Sequence, residues 1–441
     1  MDNLGLLLWS YYKYKHLYRF KSRKQLEQWQ NRKIRSFMER IVPKSRYYSK
    51  LYAGLDIGNW QEFPMINKQS MMDNFSDLNT YGIEKEEAMK VAFEAEKSRD
   101  FSPQIRDVTV GLSSGTSGNR GLFLASPSER ATWAGAILAK ALPDGIFVKE
   151  RIAFFLRANS NLYEAVDSSR ISFKFFDLLK PIDEQVDELN KYQPSILVAP
   201  PSMLRILAER VEDKSLIISC KKVISVAEVL EKIDNEFIRE TFNQTVHQVY
   251  QATEGFLATT CRNGTLHLNE DIVCVQKEYI DKASGRFIPI ITDFSRTTQP
   301  ILRYRLNDIL IEKREKCSCG SCFTAIEAIE GRTDDIFYAK AKDSDKMVGI
   351  FPDFIRREVI MTSPQISEYK VNQVSTVQLE VYLKLEDGVD TDIIKSMLSK
   401  NLKKLFDDYN CCVPQIKFID RYEPVKGNKL RRIERKFDIG P

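Results

Sequence analysis

Through roughly the first hundred residues, apolar positions recur at helical spacing among Lys, Glu, Gln, Met and Tyr, and strand signals are few. From about Asp107 the pattern changes. Apolar runs at 108–112, 152–156, 195–198, 222–226 and 245–250 alternate with helical stretches such as 128–142 and 202–211. Strands separated by helices predict an α/β arrangement around a largely parallel sheet. Near residue 265 the pattern becomes hairpin-like, with strands expected at 266–276 and 286–291 around the turn-rich Asp281-Lys282-Ala283-Ser284-Gly285. Beyond about Asp334 a smaller unit is expected, with a strand at 377–385, a helix at 391–406 and a strand at 413–419.

The predicted fold class is therefore α/β: a large N-terminal domain with parallel or mixed sheets and helices, followed by a small mobile C-terminal α+β lid. The expected divisions are a helical part of the large domain at 1–100, a nucleotide- and substrate-binding part at 101–333, and the lid at 334–441. The 441 residues allow two or three domains, and 43% apolar with 29% charged residues is ordinary globular composition. No internal repeat is visible, which excludes solenoids and propellers.

No apolar run approaches the roughly 20 residues that span a bilayer. The short run at 4–9 is followed, not preceded, by Lys13, Lys15 and Arg19, the reverse of a signal peptide. Eight cysteines are too sparse for a disulfide scaffold, so the expected compartment is the reducing cytoplasm. Net charge is +5, yet the first fifty residues hold 13 Lys and Arg against 3 Asp and Glu. That flank suits an anionic partner such as a carrier protein, coenzyme A or a membrane surface, or more simply the solvated faces of helices. No nucleic-acid signature accompanies the charge.

The strongest local chemistry is Ser113-Ser114-Gly115-Thr116-Ser117-Gly118-Asn119-Arg120-Gly121, read as a loop leaving a strand shortly before a helix. Its three glycines let backbone amides approach an anion, and its hydroxyls supplement them, as polyphosphate binding requires. The Gly-Lys-Ser/Thr ending of a Walker loop is missing. Taken singly, the stretch reads equally as an ordinary flexible loop. In Tyr250-Gln251-Ala252-Thr253-Glu254-Gly255, an aromatic ring suits stacking on a base, a hydroxyl suits a phosphate and a carboxylate suits Mg²⁺. Alone, that hexapeptide is also a plain strand end. Arg303-Tyr304-Arg305-Leu306-Asn307-Asp308 sets one carboxylate at the end of a strand, where Asp308 suits the two ribose hydroxyls.

In this order, and followed by Gly331-Arg332-Thr333-Asp334-Asp335, the motifs resemble the adenylate-forming superfamily: acyl- and aryl-CoA synthetases, adenylation domains and luciferase. The phenylacetate–CoA ligase and coenzyme F synthetase-like branch is most similar, through Tyr-Gln-Ala-Thr-Glu-Gly, Leu266-His-Leu-Asn-Glu-Asp271 and Arg-Tyr-Arg. The resemblance runs from about residue 30 to the end. It implies that Ser113 to Gly121 wraps the ATP phosphates and that Tyr250 lies against adenine, with Ala227-Glu228 on its other side. It further implies Thr253 at the α-phosphate, Glu254 on Mg²⁺, Asp308 at the ribose, Arg332 on the nucleotide and Asp334 as hinge. The tail Pro424-Val-Lys-Gly-Asn-Lys-Leu-Arg-Arg432 resembles the family's closing Gly-Lys, which makes Lys429 the expected catalytic lysine and Lys426 the alternative. Where the family loop commonly ends in a lysine, Arg120 stands instead.

Cys317-Ser-Cys319-Gly-Ser-Cys322 places three thiols within six residues, with Cys261 and His267 upstream. Such spacing suits zinc, and relatives in this branch look similar here. The expected structural set is Cys261, His267, Cys317 and Cys319, with Cys322 the substitute; reduced cysteines beside a surface loop are the alternative. Cys220 and Cys274 read as core, and His247 as a core or cleft histidine. The segment from Phe154 to Tyr163 is expected to border the acid pocket, where Arg157, Asn159 and Tyr163 suit a polar or aromatic substrate or, equally, form a structural strand-to-helix turn.

The expected reaction has two halves. A carboxylate attacks ATP to give an acyl-AMP, then the lid moves and an acceptor takes the acyl group. By resemblance, an aryl or arylalkyl acid with a thiol acceptor, coenzyme A or carrier-protein phosphopantetheine, comes first. AMP transfer to a small molecule or protein, or a non-catalytic nucleotide-binding scaffold, are the rival readings.

Overall fold

The computed structural model describes residues 2–98, 103–112, 121–156, 170–178, 180–386, 388–422 and 431–437. The chain forms two compact units: Met1–Leu306 with Ile311–Ala328, and Asn307–Leu310 with Ile329–Pro441.

The first unit opens with helices α1 (Asn3–Tyr12), α2 (Arg23–Ile41), α3 (Arg46–Leu51), α4 (Lys68–Asp73), α5 (Phe75–Leu78) and α6 (Lys85–Ser98). α2 shows why the spacing predicted helix. Ser22 caps its N-terminus by accepting from the Gln25 amide, and Leu26, Gln30, Ile34, Phe37, Met38 and Ile41 form one buried stripe. A three-stranded antiparallel sheet follows, of β1 (Gln104–Ile105), β2 (Val108–Leu112) and β3 (Leu122–Ala125), with Leu112 opposite Leu122. Two expectations change here. β2 does not belong to the parallel sheet, and β3 stands between residue 121 and the next helix, α7 (Pro127–Ala141). Four residues are too few to show a period, so β3 was not legible in the sequence.

The large sheet begins with the expected strands near 152, 196, 222 and 246, joined by one at Ile171–Asp177 that was not expected. β4 (Glu150–Leu156), β5 (Ile171–Asp177), β6 (Ile196–Ala199), β7 (Lys222–Val226) and β8 (Val246–Ala252) run parallel in the order β5-β4-β6-β7-β8. Helices α8 (Ile182–Tyr192), α9 (Pro201–Glu212) and α10 (Lys232–Phe242) lie between them in the chain. β6 is buried at every position, which is why Ile-Leu-Val-Ala reads as an unbroken apolar run. Phe155, Leu197, Leu204, Leu207, Val223 and Ile238 fill the core beneath it.

Beyond β8 the sheet turns antiparallel through β9 (Gly255–Thr260), β10 (Leu266–Leu268), β11 (Val273–Asp281), β12 (Arg286–Asp293), β13 (Ile301–Arg305), β14 (Asp308–Glu312) and β15 (Ala325–Arg332). The single strand expected at 266–276 is broken, because Asn269, Glu270 and Asp271 form a buried turn. Glu270 accepts from Arg23 Nη1 and from the Thr324 amide, each at 2.6 Å. Both Asp271 oxygens accept from Lys140 Nζ at 2.9 Å. Carboxylates at 0% and 1% exposure persist only with such partners, so this motif is a structural anchor.

The second unit holds a β-ribbon of β16 (Phe337–Lys340) and β17 (Met347–Ile350), then α11 (Pro352–Thr362), β18 (Ile366–Ser375), β19 (Gln378–Leu385), α12 (Thr391–Asp408), β20 (Gln415–Phe418) and β21 (Ile433–Arg435). Its sheet order is β20-β19-β18-β21. Ile355, Val359, Val371, Val381, Leu398 and Leu402 share its core. This unit starts at Ile329, inside β15, and takes in Asn307–Leu310, whereas the sequence pattern set the division at Asp334.

Candidate active site

Val226 pairs with Val249 across parallel β7 and β8, so Ala227 and Tyr250 lie side by side at the carboxyl ends of neighbouring strands. That edge is where open α/β sheets bind ligands. Ala227 sits at φ +69°, and the Glu228 amide donates to Val226 O at 2.8 Å, a tight three-residue γ-turn. Such backbone strain concentrates at functional sites. Glu228 Oε2 accepts from the Ser202 amide at 3.3 Å, which fixes the turn against the start of α9.

Glu254 follows at the tight β8–β9 connection and is 9% exposed. Its Oε2 accepts from Thr253 Oγ1 at 2.9 Å, and its Oε1 accepts from Tyr304 Oη at 2.8 Å. Tyr304 reaches it because of a bulge. Ile291 faces Tyr304 and Asp293 faces Ile301, leaving Leu302 and Arg303 opposite Thr292 alone. Arg303 takes up the extra residue at φ +44°, its amide bonded to Thr292 Oγ1 at 3.0 Å and its guanidinium to Phe63 O and, at 3.1 Å, to Gln276 Oε1. Bulges re-aim a side chain in this way. Arg305 meanwhile grips Glu278 with two bonds of 2.8 Å. The Arg-Tyr-Arg motif is thus two anchors around one tyrosine aimed at a carboxylate.

The surroundings carry residues that sequence reasoning missed. Arg296 donates to Thr253 O and to Leu124 O, both at 3.0 Å, joining the Glu254 turn to β3. Gln299 accepts from the Leu124 amide at 2.9 Å and donates to Leu122 O at 3.1 Å. Glu129 accepts from the Thr297 and Thr298 amides at 2.5 and 2.9 Å and closes a capping box with Ser126. The Ser126-Pro-Ser-Glu129 pattern was the available signal; the long-range partners had none. Buried Asp293 lies beneath Gly255, where a Cβ would stand 3.1 Å from its Oδ2, and burial pushes its carboxyl up to about 6.

Asp308, Arg332 and Asp334 belong to the second unit and gather there. Arg332 Nε lies 3.6 Å from Asp308 Oδ1, and Asn307 Nδ2 donates to Asp334 Oδ2 at 3.0 Å. Gly331, at φ +142°, holds a conformation that side chains disfavour. Arg431 pairs with Asp335, whose carboxyl is raised by burial. The predicted Ser113, Ser114, Gly115, Thr116, Ser117, Gly118 and Arg120 lie outside the described residues, as do Lys429, Lys426, Arg157, Asn159 and Tyr163. His247 is half-buried and held neutral, its imidazole pushed down to about 4 by burial and by Lys222.

The four expected metal ligands come together. Ligand atoms of Cys261, His267, Cys317 and Cys319 all lie within 4.8 Å of one another. Cys261 and Cys317 sulfurs are 3.8 Å apart, and Cys319 Sγ is 3.5 Å from His267 Nε2. Ligands placed tetrahedrally about 2.3 Å from an ion stand roughly 3.8 Å apart. The two pairs at 3.8 and 3.5 Å match that spacing, and the full set, within 4.8 Å, closes on zinc with a small inward shift of side chains. His267 Nδ1 bonds Phe323 O at 3.1 Å, which leaves Nε2 for the ion. Backbone amides of Asn263 and Ser321 point at Cys261 and Cys319 sulfurs at 3.4 and 3.5 Å. Cys322 faces Phe20 O instead and is not part of the cluster.

No known family profile matches the chain. A related protein, CapK of Staphylococcus aureus, is 22% identical over 437 residues, spanning 95% of this chain and 91% of the relative. The solved structure of 2-hydroxyisobutyryl-CoA ligase, in the postadenylation state with 2-HIB-AMP, matches 95% of this chain and 90% of its own at a TM-score of 0.69 and 14% identity. GH3.15 acyl acid amido synthetase matches 94% of this chain and 92% of its own at a TM-score of 0.59 and 11% identity. Likeness over nearly the full length of both partners shows a shared architecture, and the chain has the fold of the adenylate-forming enzymes that its motifs resemble.

Proposed function

We propose that this chain activates a carboxylic acid with ATP as an acyl-AMP, releasing pyrophosphate, and passes the acyl group to a thiol, coenzyme A or a carrier-protein phosphopantetheine. The carrying observation is Glu254, a buried carboxylate held from both sides by Tyr304 and Thr253 beside the Ala227–Tyr250 sheet edge. Each of its oxygens retains acceptor capacity, which suits a hard divalent cation such as Mg²⁺. Bound Mg²⁺ would neutralise charge on the phosphates during pyrophosphate departure. In this reading Tyr250 and the Ala227-Glu228 turn flank adenine, Thr253 meets the α-phosphate, and Ser113 to Arg120 wraps the β- and γ-phosphates. Asp308 takes the ribose, Arg332 the nucleotide, and Lys429 bridges the attacking carboxylate and the α-phosphate. Asp334, tied to Asn307, acts as the hinge residue. The acid is proposed to be aryl or arylalkyl, and zinc on Cys261, His267, Cys317 and Cys319 to be structural.

The test is ATP–pyrophosphate exchange against aryl, arylacetic and fatty acids, with Glu254→Gln and Lys429→Ala in parallel. Exchange that depends on one acid class and falls at least about 100-fold in either variant supports the reading. Absence of exchange with every acid, while ATP still binds, redirects it to AMP transfer or a scaffold role. Adding coenzyme A or an amine then identifies the acceptor by the product released.

A further inference from the structure

From Asn3 to Tyr12 α1 reads Asn-Leu-Gly-Leu-Leu-Leu-Trp-Ser-Tyr-Tyr and carries no charge on any side. One side is spoken for. Leu7, Ser10 and Tyr11 are buried, and α7 comes so close that a Cβ on Gly135 would stand 2.3 Å from Leu7 O and 2.8 Å from the Tyr11 amide nitrogen. The opposite side is bare, with Leu4 63%, Leu8 45%, Trp9 48% and Tyr12 48% exposed. A helix apolar all round belongs in an apolar environment all round. The loop carrying Phe147, 77% exposed, runs alongside: Gly145 in that loop abuts Tyr11 Oη, and Arg170 stands 5.7 Å from the Phe147 ring.

Cations follow the apolar stripe at once. Arg19, Lys21 and Lys24 are exposed, and among the described residues none of them pairs with a carboxylate. A second copy on this face would bring like charges together, whereas an anionic lipid surface offers both the apolar layer and the counter-charge. We propose that α1 is a membrane-surface anchor, lying flat on an anionic bilayer with Leu4, Leu8, Trp9 and Tyr12 at the acyl boundary and the Arg19–Lys24 cations at the headgroups. Among the described residues no helix is long and apolar enough to cross a membrane, so the anchor lies on the surface and does not span.

Flotation of the full chain with vesicles tests this. Phosphatidylglycerol-rich vesicles are expected to carry the protein and pure phosphatidylcholine vesicles to leave it behind, with binding weakened by salt. Arg19→Gln/Lys21→Gln/Lys24→Gln is expected to weaken binding on the order of 100-fold, at about 1 kcal/mol per cation. Leu4→Gln/Leu8→Gln/Trp9→Gln, which leaves the α7-facing residues intact, is expected to abolish it. Nucleotide exchange without vesicles should be unchanged in both variants, so the outcome is independent of the proposed acyl chemistry. Wild type that ignores anionic vesicles overturns the proposal, as does apolar-variant binding equal to wild type. So does a wild-type dimer that the apolar variant converts to monomer. If the apolar variant fails to fold, undiminished binding by the charge variant overturns the proposal by itself.

Discussion

Tyr304 Oη and Glu254 Oε1 are 2.8 Å apart in a buried setting, and a hydrogen bond to a charged group there is worth about 1.5–3 kcal/mol. Tyr304→Phe removes only the hydroxyl and keeps the ring in place within β13. If Tyr304 orients Glu254 for the cation, the variant loses about 10- to 100-fold in exchange rate, and the Mg²⁺ concentration for half-maximal rate rises. A merely structural hydroxyl would lower the melting temperature and leave the Mg²⁺ dependence alone. Titrating Mg²⁺ in the exchange assay separates the two.

At the scale of elements, α1 packs on α7 through the buried Leu7, Ser10 and Tyr11 and a close backbone approach. Gly135 on α7 is the residue that permits it, since a Cβ there would meet Leu7 O, Ser10 Cβ and the Tyr11 amide nitrogen, all under 3.0 Å. Backbone atoms cannot yield as a flexible side chain does. Gly135→Ala is therefore expected to lift α1 from α7 at a cost of about 1–3 kcal/mol, although alanine is the better helix former. Limited proteolysis should then cut within residues 2–17 at enzyme levels that leave wild type intact. An uncut variant would show that α7 shifts to accommodate the methyl group.

For the molecule as a whole, the Cys/His cluster joins parts of the chain far apart in sequence. Cys261 follows β9, His267 is on β10, and Cys317 and Cys319 precede β15. These three strands are neighbours in the antiparallel half of the sheet, in the order β15-β10-β9. A bound zinc would close a loop of about fifty residues, and its binding free energy would become folding free energy. One zinc per chain is expected by elemental analysis. Chelation should lower Tm on the order of 10 °C, from several kcal/mol at about 2–4 °C each. Metal-free protein with an unchanged Tm would remove the structural role and leave four packed reduced ligands.

The sequence by itself determined what depends on local period and local chemistry. The parallel strand β6 was legible because burial on both faces demands an unbroken apolar run, and α2 because one buried stripe demands helical spacing. The cysteine spacing pointed to Cys317 and Cys319, and the ordered motifs singled out Tyr250, Glu254 and Asp308, whose roles stand as proposed above. Tertiary structure alone decided the rest. Nothing local to 266–276 says that Asn269 to Asp271 turns inward, because its partners Arg23, Lys140 and Thr324 lie far away in the chain. The sequence favoured Cys261 and His267 with Cys322 as substitute, and the packed sheet brings the first two to Cys317 and Cys319 and leaves Cys322 aside. Only the bulge at Arg303 aims Tyr304 at Glu254. Such contacts are set by the distance between elements once they pack, a quantity that hydrophobic period does not encode.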